Sequence, residues 1–242
     1  MTASCVVFVG PTVTENEVRK SLDATIMPPA AVGDVYRAVL AAPSAIVVID
    51  GYFERVPAVW HKEILFALSR GITVVGCSSM GALRAAELSS FGMHGSGDIF
   101  QMYLEGVLED DDEVAVIHAD ADSGYRACSD AMVNIRHGLA LAAAEGIIGA
   151  DAAARLEFTA KGWFYPDRHW ASLLETAERD RLPGASALRK FIRDARPNLK
   201  RADAIATLDG VASGCFAPRP LKAAFERTDA WTWLERLETA RT

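Results

Sequence analysis

The chain has 242 residues, half of them hydrophobic and 24% charged, a composition that excludes a disordered, collagen-like or disulfide-scaffold protein. Its net charge of −7 opposes binding to a phosphate backbone, so nucleic acid is not expected as a partner. The apolar runs stop far short of the roughly 20 residues of a membrane-spanning helix, so no membrane contact is expected. A start without a secretory signal and four scattered cysteines predict a cytoplasmic protein with reduced thiols.

The first 90 residues alternate short β-branched runs with helical patterns, which is typical of parallel βα units. Strands are predicted at residues 5–9, 46–49 and 72–75. Thr14 and Glu17 have the spacing of a capping box, which predicts that a helix follows the first strand. This part of the chain is therefore predicted to form a mostly parallel sheet with flanking helices.

Farther along the chain, one more strand and then helices are predicted. Five consecutive acidic residues at 109–113 predict a solvated loop, because like charges repel one another, and the fourth strand is expected at 114–117. The fold class is α/β, with an α/β core at residues 1–125. A helical layer or subdomain follows at 126–242, and it includes a helix predicted at 150–161.

The serine-containing turn at residues 76–81, Gly-Cys-Ser-Ser-Met-Gly, lies between a predicted strand and the helix predicted at 81–88. It is similar to a nucleophile elbow, although it does not match G-x-S-x-G. Ser79 is placed at the carboxyl edge of the sheet, where open α/β sheets bind ligands. The Met80 N–H is a candidate oxyanion donor, and Gly81 leaves room for a close approach. The alternative role of Ser79 is a simple helix N-cap.

A serine nucleophile needs a base, and none of the five histidines has a spacing that predicts a triad. Lys62 lies near the start of the helix after the second strand, at the same sheet edge as Ser79. A lysine partly buried there could act as a neutral base, although Lys62 lies opposite the apolar stripe of its helix. Lys200, at the start of another predicted helix, is the competing candidate. For both lysines, exposure to solvent is the alternative.

Other charged and polar residues give weaker indications. Gly10 and Thr12 end the first strand at the predicted ligand edge and are candidates for an anion-binding turn. Arg84 lies in an apolar helix, where a guanidinium pairs with an anionic ligand or with a carboxylate. The His-x-Asp-x-Asp pattern at 118–122 ends at Gly124 and does not predict a metal site. Neither a metal nor an organic cofactor is expected.

Three stretches together resemble the core of TfuA-like proteins: residues 50–53, 56–65 and 76–88. The similarity extends from the first strand to residues 200–204, and the tail after about residue 210 lies outside it. The resemblance implies an accessory role for YcaO-type enzymes, which replace a peptide amide oxygen by sulfur. It also implies hydrolysis of the C-terminal thiocarboxylate of a ThiS-like sulfur carrier by a serine–lysine pair.

Carried onto this sequence, the implied nucleophile is Ser79, with Ser78 as the alternative. The implied base is Lys62 or Lys200, and edge topology favours Lys62. The residues expected to bind substrate are Gly10, Thr12, Gly51, Ser78, Met80, Gly81 and Arg84. The implied partners are a YcaO-type enzyme, a ThiS-like carrier and the precursor peptide. The competing functions are a non-catalytic adaptor that binds these partners and a phosphate-binding module.

Overall fold

The computed structural model describes residues 4–53 and 56–239. The chain divides into two compact units. The first combines Met1–Glu109 with Asp203–Thr242, and the second is Asp110–Ala202. The division predicted after residue 125 differs from these boundaries.

The secondary structure of the described residues is α/β, as predicted. The strands are β1 (Cys5–Phe8), β2 (Thr25–Met27), β3 (Ala45–Val48), β4 (Thr73–Cys77) and β5 (His94–Ser96). The α-helices are α1 (Glu15–Ser21), α2 (Asp34–Leu40), α3 (His61–Ser69), α4 (Met80–Leu88), α5 (Asp98–Leu104), α6 (Met132–Ala144), α7 (Ala150–Lys161), α8 (Trp170–Arg179), α9 (Ala185–Ala195), α10 (Leu199–Ala212) and α11 (Asp229–Thr239). Across residues 4–53 and 56–239, every helix is too short or too polar to cross a membrane.

The first unit is built on a five-stranded parallel sheet with the strand order β2-β1-β3-β4-β5. Phe8 pairs with Val48, and Val48 pairs with Gly76, so the three central strands end within one residue of one another. Because all strands run in one direction, the turns that follow β1, β3, β4 and β5 meet at one edge of the sheet.

Successive strand residues pack into two cores on opposite faces of this sheet, as a period of two requires. Phe8 and Val48 belong to the core that also holds Met80 of α4. Val7 and Val47 belong to the other core, with Leu208 of α10 among its buried members. The buried strands are therefore apolar on both faces, which is typical of parallel sheets covered by helices.

The C-terminal helix α11 is held by an aromatic cluster within the first unit. Trp231 is fully buried. Its ring centroid lies 5.4 Å from that of Tyr36 and 5.0 Å from those of Phe66 and Phe225. The packing of α11 therefore rests on one large side chain.

The second unit is helical, and the strand predicted at 114–117 is wrong. Residues 114–117 follow a short 3-10 helix at Asp111–Glu113 and form no strand. Val114 and Ala115 are nonetheless buried. The run is apolar because it packs into the interior, and a short apolar run alone does not distinguish packing from strand pairing.

The acidic run before it is only partly the solvated loop that was predicted, because Glu109, Asp110 and Asp111 are exposed but Glu113 is not. Glu113 is only 3% exposed, and its carboxylate accepts two hydrogen bonds of 2.9 Å from Arg136. The Lys161 ammonium forms ion pairs with Asp110, Asp112 and Glu113. Repulsion between the acidic residues is therefore offset by cations from α6 and α7, which sequence order did not reveal.

Candidate functional site

Ser78 and Ser79 form the whole connection between β4 and α4. Ser78 has φ +65°, in the left-handed region that non-glycine residues rarely adopt. Ser79 is the N-cap residue of α4, with φ −123°. Its side chain makes no capping hydrogen bond, so a simple N-cap role does not account for it. Both serines are buried, with 0% and 2% of their surface exposed.

Three glycines near this turn, Gly51, Gly76 and Gly81, allow α4 to lie directly against the sheet. A Cβ atom on Gly81 would lie 1.7 Å from the carbonyl oxygen of Val48, and one on Gly76 would lie 2.1 Å from the carbonyl oxygen of Gly81. A Cβ atom on Gly51 would lie 2.7 Å from Cγ of Met80. The close approach at Gly81 is therefore between α4 and β3, and it fixes the position of the serines.

The N-terminus of α4 has most of its backbone N–H groups engaged. Gly81 N–H donates to the Ile49 carbonyl at 3.2 Å. Ala82 and Leu83 N–H donate to the Ser79 carbonyl at 3.0 and 3.3 Å. Met80 N–H, the predicted oxyanion donor, is not among the N–H groups bound by the Ile49 and Ser79 carbonyls in the described part of the chain.

The turn after β1 is filled by a carboxylate of the chain itself. Asp50, 1% exposed, follows β3. Its Oδ2 accepts from Gly10 N–H at 2.9 Å and from Thr12 N–H at 3.1 Å, and its Oδ1 accepts from Thr12 Oγ1 at 2.6 Å. Gly10 and Thr12 thus bind an anion as their N–H groups suggested, but that anion is internal. Sequence reasoning missed this role of Asp50, although an acidic residue directly after a buried strand was a usable signal.

A second buried carboxylate holds the turn after β5. Asp203 of α10 is 5% exposed, and it accepts from the N–H groups of Asp98 and Ile99 at 3.1 and 2.9 Å. A Cβ atom on Gly97, which has φ +90°, would lie 2.3 Å from the carboxyl carbon of Asp203. Buried acids therefore fix the turns after β1 and β5 at the sheet edge that carries the serine turn, and no sequence pattern linked Asp203 to α5.

A family match covers the serine turn. Residues 50–169 match the model of the TfuA-like protein family. The chain belongs to the TfuA-like family. This family is associated with an accessory function in thioamidation and is generally linked to YcaO partners. No curated protein matches the chain.

The matched region of this TfuA-like chain contains Lys62 but not Lys200. Lys62 lies in the first turn of α3, partly exposed. Its Nζ donates to Thr228 Oγ1 at 3.4 Å and lies 5.6 Å from the centre of the Phe225 ring. Lys200 belongs to the second unit and is 4% exposed, and its Nζ donates to the Val114 carbonyl at 2.8 Å. Each candidate base thus has partners of its own.

Arg84 of the TfuA-like chain is paired with a carboxylate. Its Nε donates to the Val59 carbonyl at 3.2 Å, and its Nη1 donates to Glu87 at 2.7 Å. His61 also contacts Glu87, at 2.7 Å. Burial raises the pKa of Glu87, but the hydrogen bonds from His61 and Arg84 outweigh burial and hold that pKa below its usual range. The salt-bridge alternative for Arg84 is confirmed.

Cys77 lies directly before the serines and is fully buried. Burial raises the pKa of its thiol to about 12, so the thiol is protonated at neutral pH. Because the thiolate is the reactive form of cysteine, Cys77 does not compete with the serines as a nucleophile.

Proposed function

We propose that this TfuA-like chain is an accessory hydrolase of peptide thioamidation. It releases sulfide from the C-terminal thiocarboxylate of a ThiS-like sulfur carrier for a YcaO-type partner. One observation carries the proposal: Ser79 stands at the N-terminus of α4, after a buried parallel strand, with a side chain that does not cap its own helix. A cytoplasmic location and contact with the precursor peptide belong to the same proposal.

The proposed reaction has two steps. Ser79 Oγ attacks the carbonyl carbon of the carrier terminus while a lysine amine takes the hydroxyl proton. The C–S bond then breaks, and the sulfur takes that proton and leaves as hydrosulfide, HS⁻. Water hydrolyses the resulting serine ester, which returns Ser79 and leaves the carrier with an ordinary carboxylate.

The charge of the substrate sets a requirement on the site. An ionised thiocarboxylate is a poor electrophile, so its charge must be neutralised before attack. The N-terminal end of α4 carries partial positive charge and supports this role. Arg84 is already paired with Glu87, so the N-terminal end of α4 is the group to which this neutralisation is assigned.

Sulfide release from purified thiocarboxylated carrier, measured without YcaO, tests the proposal. Ser79→Ala should abolish release. Ser89→Ala, at the other end of α4, should leave release unchanged. Full release by Ser79→Ala would remove Ser79 from the mechanism.

The base is identified by a second set of variants. Lys62→Met and Lys200→Met are assayed side by side, each with its circular dichroism spectrum, since Lys200 is buried. The base variant should lose release across the whole pH range. A non-base variant should keep the wild-type pH profile, and two wild-type profiles would refute the serine–lysine pair.

A non-catalytic adaptor is the second candidate function. It is favoured by the burial of both serines and by the contacts of Lys62 with Thr228 and Phe225. An adaptor would bind the carrier and stimulate a YcaO enzyme, but it would release no sulfide from carrier alone. The wild-type assay above separates the two candidates.

A further inference from the structure

The serine turn offers few donors for the negative oxygen that acyl transfer creates. Stabilising such an oxygen is a large term in catalysis. In nucleophile elbows, one donor is the N–H of the residue after the nucleophile, and a second N–H comes from a neighbouring loop. Met80 N–H corresponds to the first donor. Gly10 and Thr12 N–H, in the turn after β1, are already bound by Asp50, so a second donor must come from elsewhere.

Ser78 has two unusual features at the same position. It is fully buried, and among the residues described its Oγ has no nitrogen or oxygen partner, but only the Cys77 sulfur beside it. The adjacent Cys77 thiol is only a weak acceptor. Ser78 also has φ +65°. A buried hydroxyl without a strong acceptor and a strained backbone are both unfavourable, and such features concentrate at functional sites.

We propose that the Ser78 hydroxyl and the Met80 N–H together form the oxyanion site for the carbonyl oxygen of the carrier terminus. This inference rests on the proposed hydrolase function. Ser79 remains the nucleophile. Ser78 donates a hydrogen bond to the oxygen as its negative charge develops and gives up no proton. The substrate thus supplies the strong acceptor that Ser78 lacks.

Two substitutions at Ser78 separate the hydroxyl from the backbone strain. Ser78→Ala removes the hydroxyl and keeps a side chain at positive φ. Ser78→Gly removes the hydroxyl and suits positive φ, so it should fold at least as well as the wild type. Both variants should lower kcat for sulfide release by about 100-fold or more. KM should change little, because the hydrogen bond is made mainly in the transition state.

The outcomes are distinguishable. If the wild type releases sulfide and Ser78→Gly has a near-wild-type kcat, the role of Ser78 is overturned. The proposed hydrolase function then stands. If kcat falls in Ser78→Ala but not in Ser78→Gly, the effect is due to backbone strain, and the role of Ser78 is again overturned. Quenched single-turnover samples are also digested and analysed by mass spectrometry, and an acyl group on Ser78 would make Ser78 the nucleophile and refute the assignment. If the wild type releases no sulfide, both the proposed hydrolase function and this inference are refuted.

Discussion

Replacing Asp50 tests whether its carboxylate holds the turn after β1. In Asp50→Ala, the N–H groups of Gly10 and Thr12 lose their acceptor in a buried place. Each unsatisfied donor costs about 1–3 kcal/mol, so the free energy of unfolding should fall by about 2–6 kcal/mol. Asp50→Asn behaves differently. Its amide oxygen can replace Oδ2 and accept from both N–H groups, while its NH2 replaces Oδ1 and donates to Thr12 Oγ1, because that hydroxyl can rotate.

The asparagine variant therefore keeps three hydrogen bonds and loses only the contribution of charge. Since charge-assisted bonds are roughly twice as strong as neutral ones, the expected loss is about 1–2 kcal/mol. Urea unfolding followed by circular dichroism measures both losses, and the exposed Asp23→Asn serves as control, with a change within about 0.5 kcal/mol. Hydrogen exchange of the Gly10 and Thr12 amides should accelerate in the order wild type, Asn, Ala. Equal losses for Asn and Ala would refute the hydrogen-bond argument.

Four further substitutions have expected outcomes. Gly81→Ala places a Cβ atom 1.7 Å from the Val48 carbonyl oxygen, so α4 must shift and soluble yield or Tm should fall sharply. Gly162→Ala, with only ordinary contacts at negative φ, should change stability by less than about 1 kcal/mol in urea unfolding. Burial lowers the pKa of His94 below its ordinary 6.5, so the stability it contributes is full above that value and is lost as pH falls through it. The Tm should accordingly drop more between about pH 7.5 and pH 5 in the wild type than in His94→Gln, and equal drops would contradict this. Trp231→Ala should cost about 3–5 kcal/mol and speed proteolysis near the C-terminus, and an unchanged cleavage rate would count against the aromatic cluster.

The sequence predicts those strands that are buried on both faces. β1, β3 and β4 were found because each is a continuous run of apolar residues. β2 and β5 were missed, since each is a three-residue edge strand whose pairing depends on its neighbour. β5 reads His-Gly-Ser, which has no strand pattern at all. Its position follows from pairing with β4, a tertiary effect that overrides local propensity.

The candidate site likewise has one part that the sequence predicts and one part that it does not. The serine turn could be predicted because strand, turn and helix are consecutive in the chain. The positive φ of Ser78 and the roles of the two acids could not. Asp50 holds a turn 38 to 40 residues before it, and Asp203 holds one more than 100 residues before it. Contacts of this range follow from the order of strands in the sheet, which local pattern does not determine.

The two buried acids also affect what the sheet edge can bind. Within the described residues, Asp50 occupies the N–H groups after β1 and Asp203 occupies those at the start of α5. A phosphate would have to displace one of these carboxylates or lie beside it, and both alternatives bring like charges together in a buried place. This opposes the phosphate-binding module. A carbonyl oxygen carries less charge and needs only hydrogen-bond donors. The turn between β4 and α4 meets that need, because Met80 N–H and the Ser78 hydroxyl are not bound by either acid.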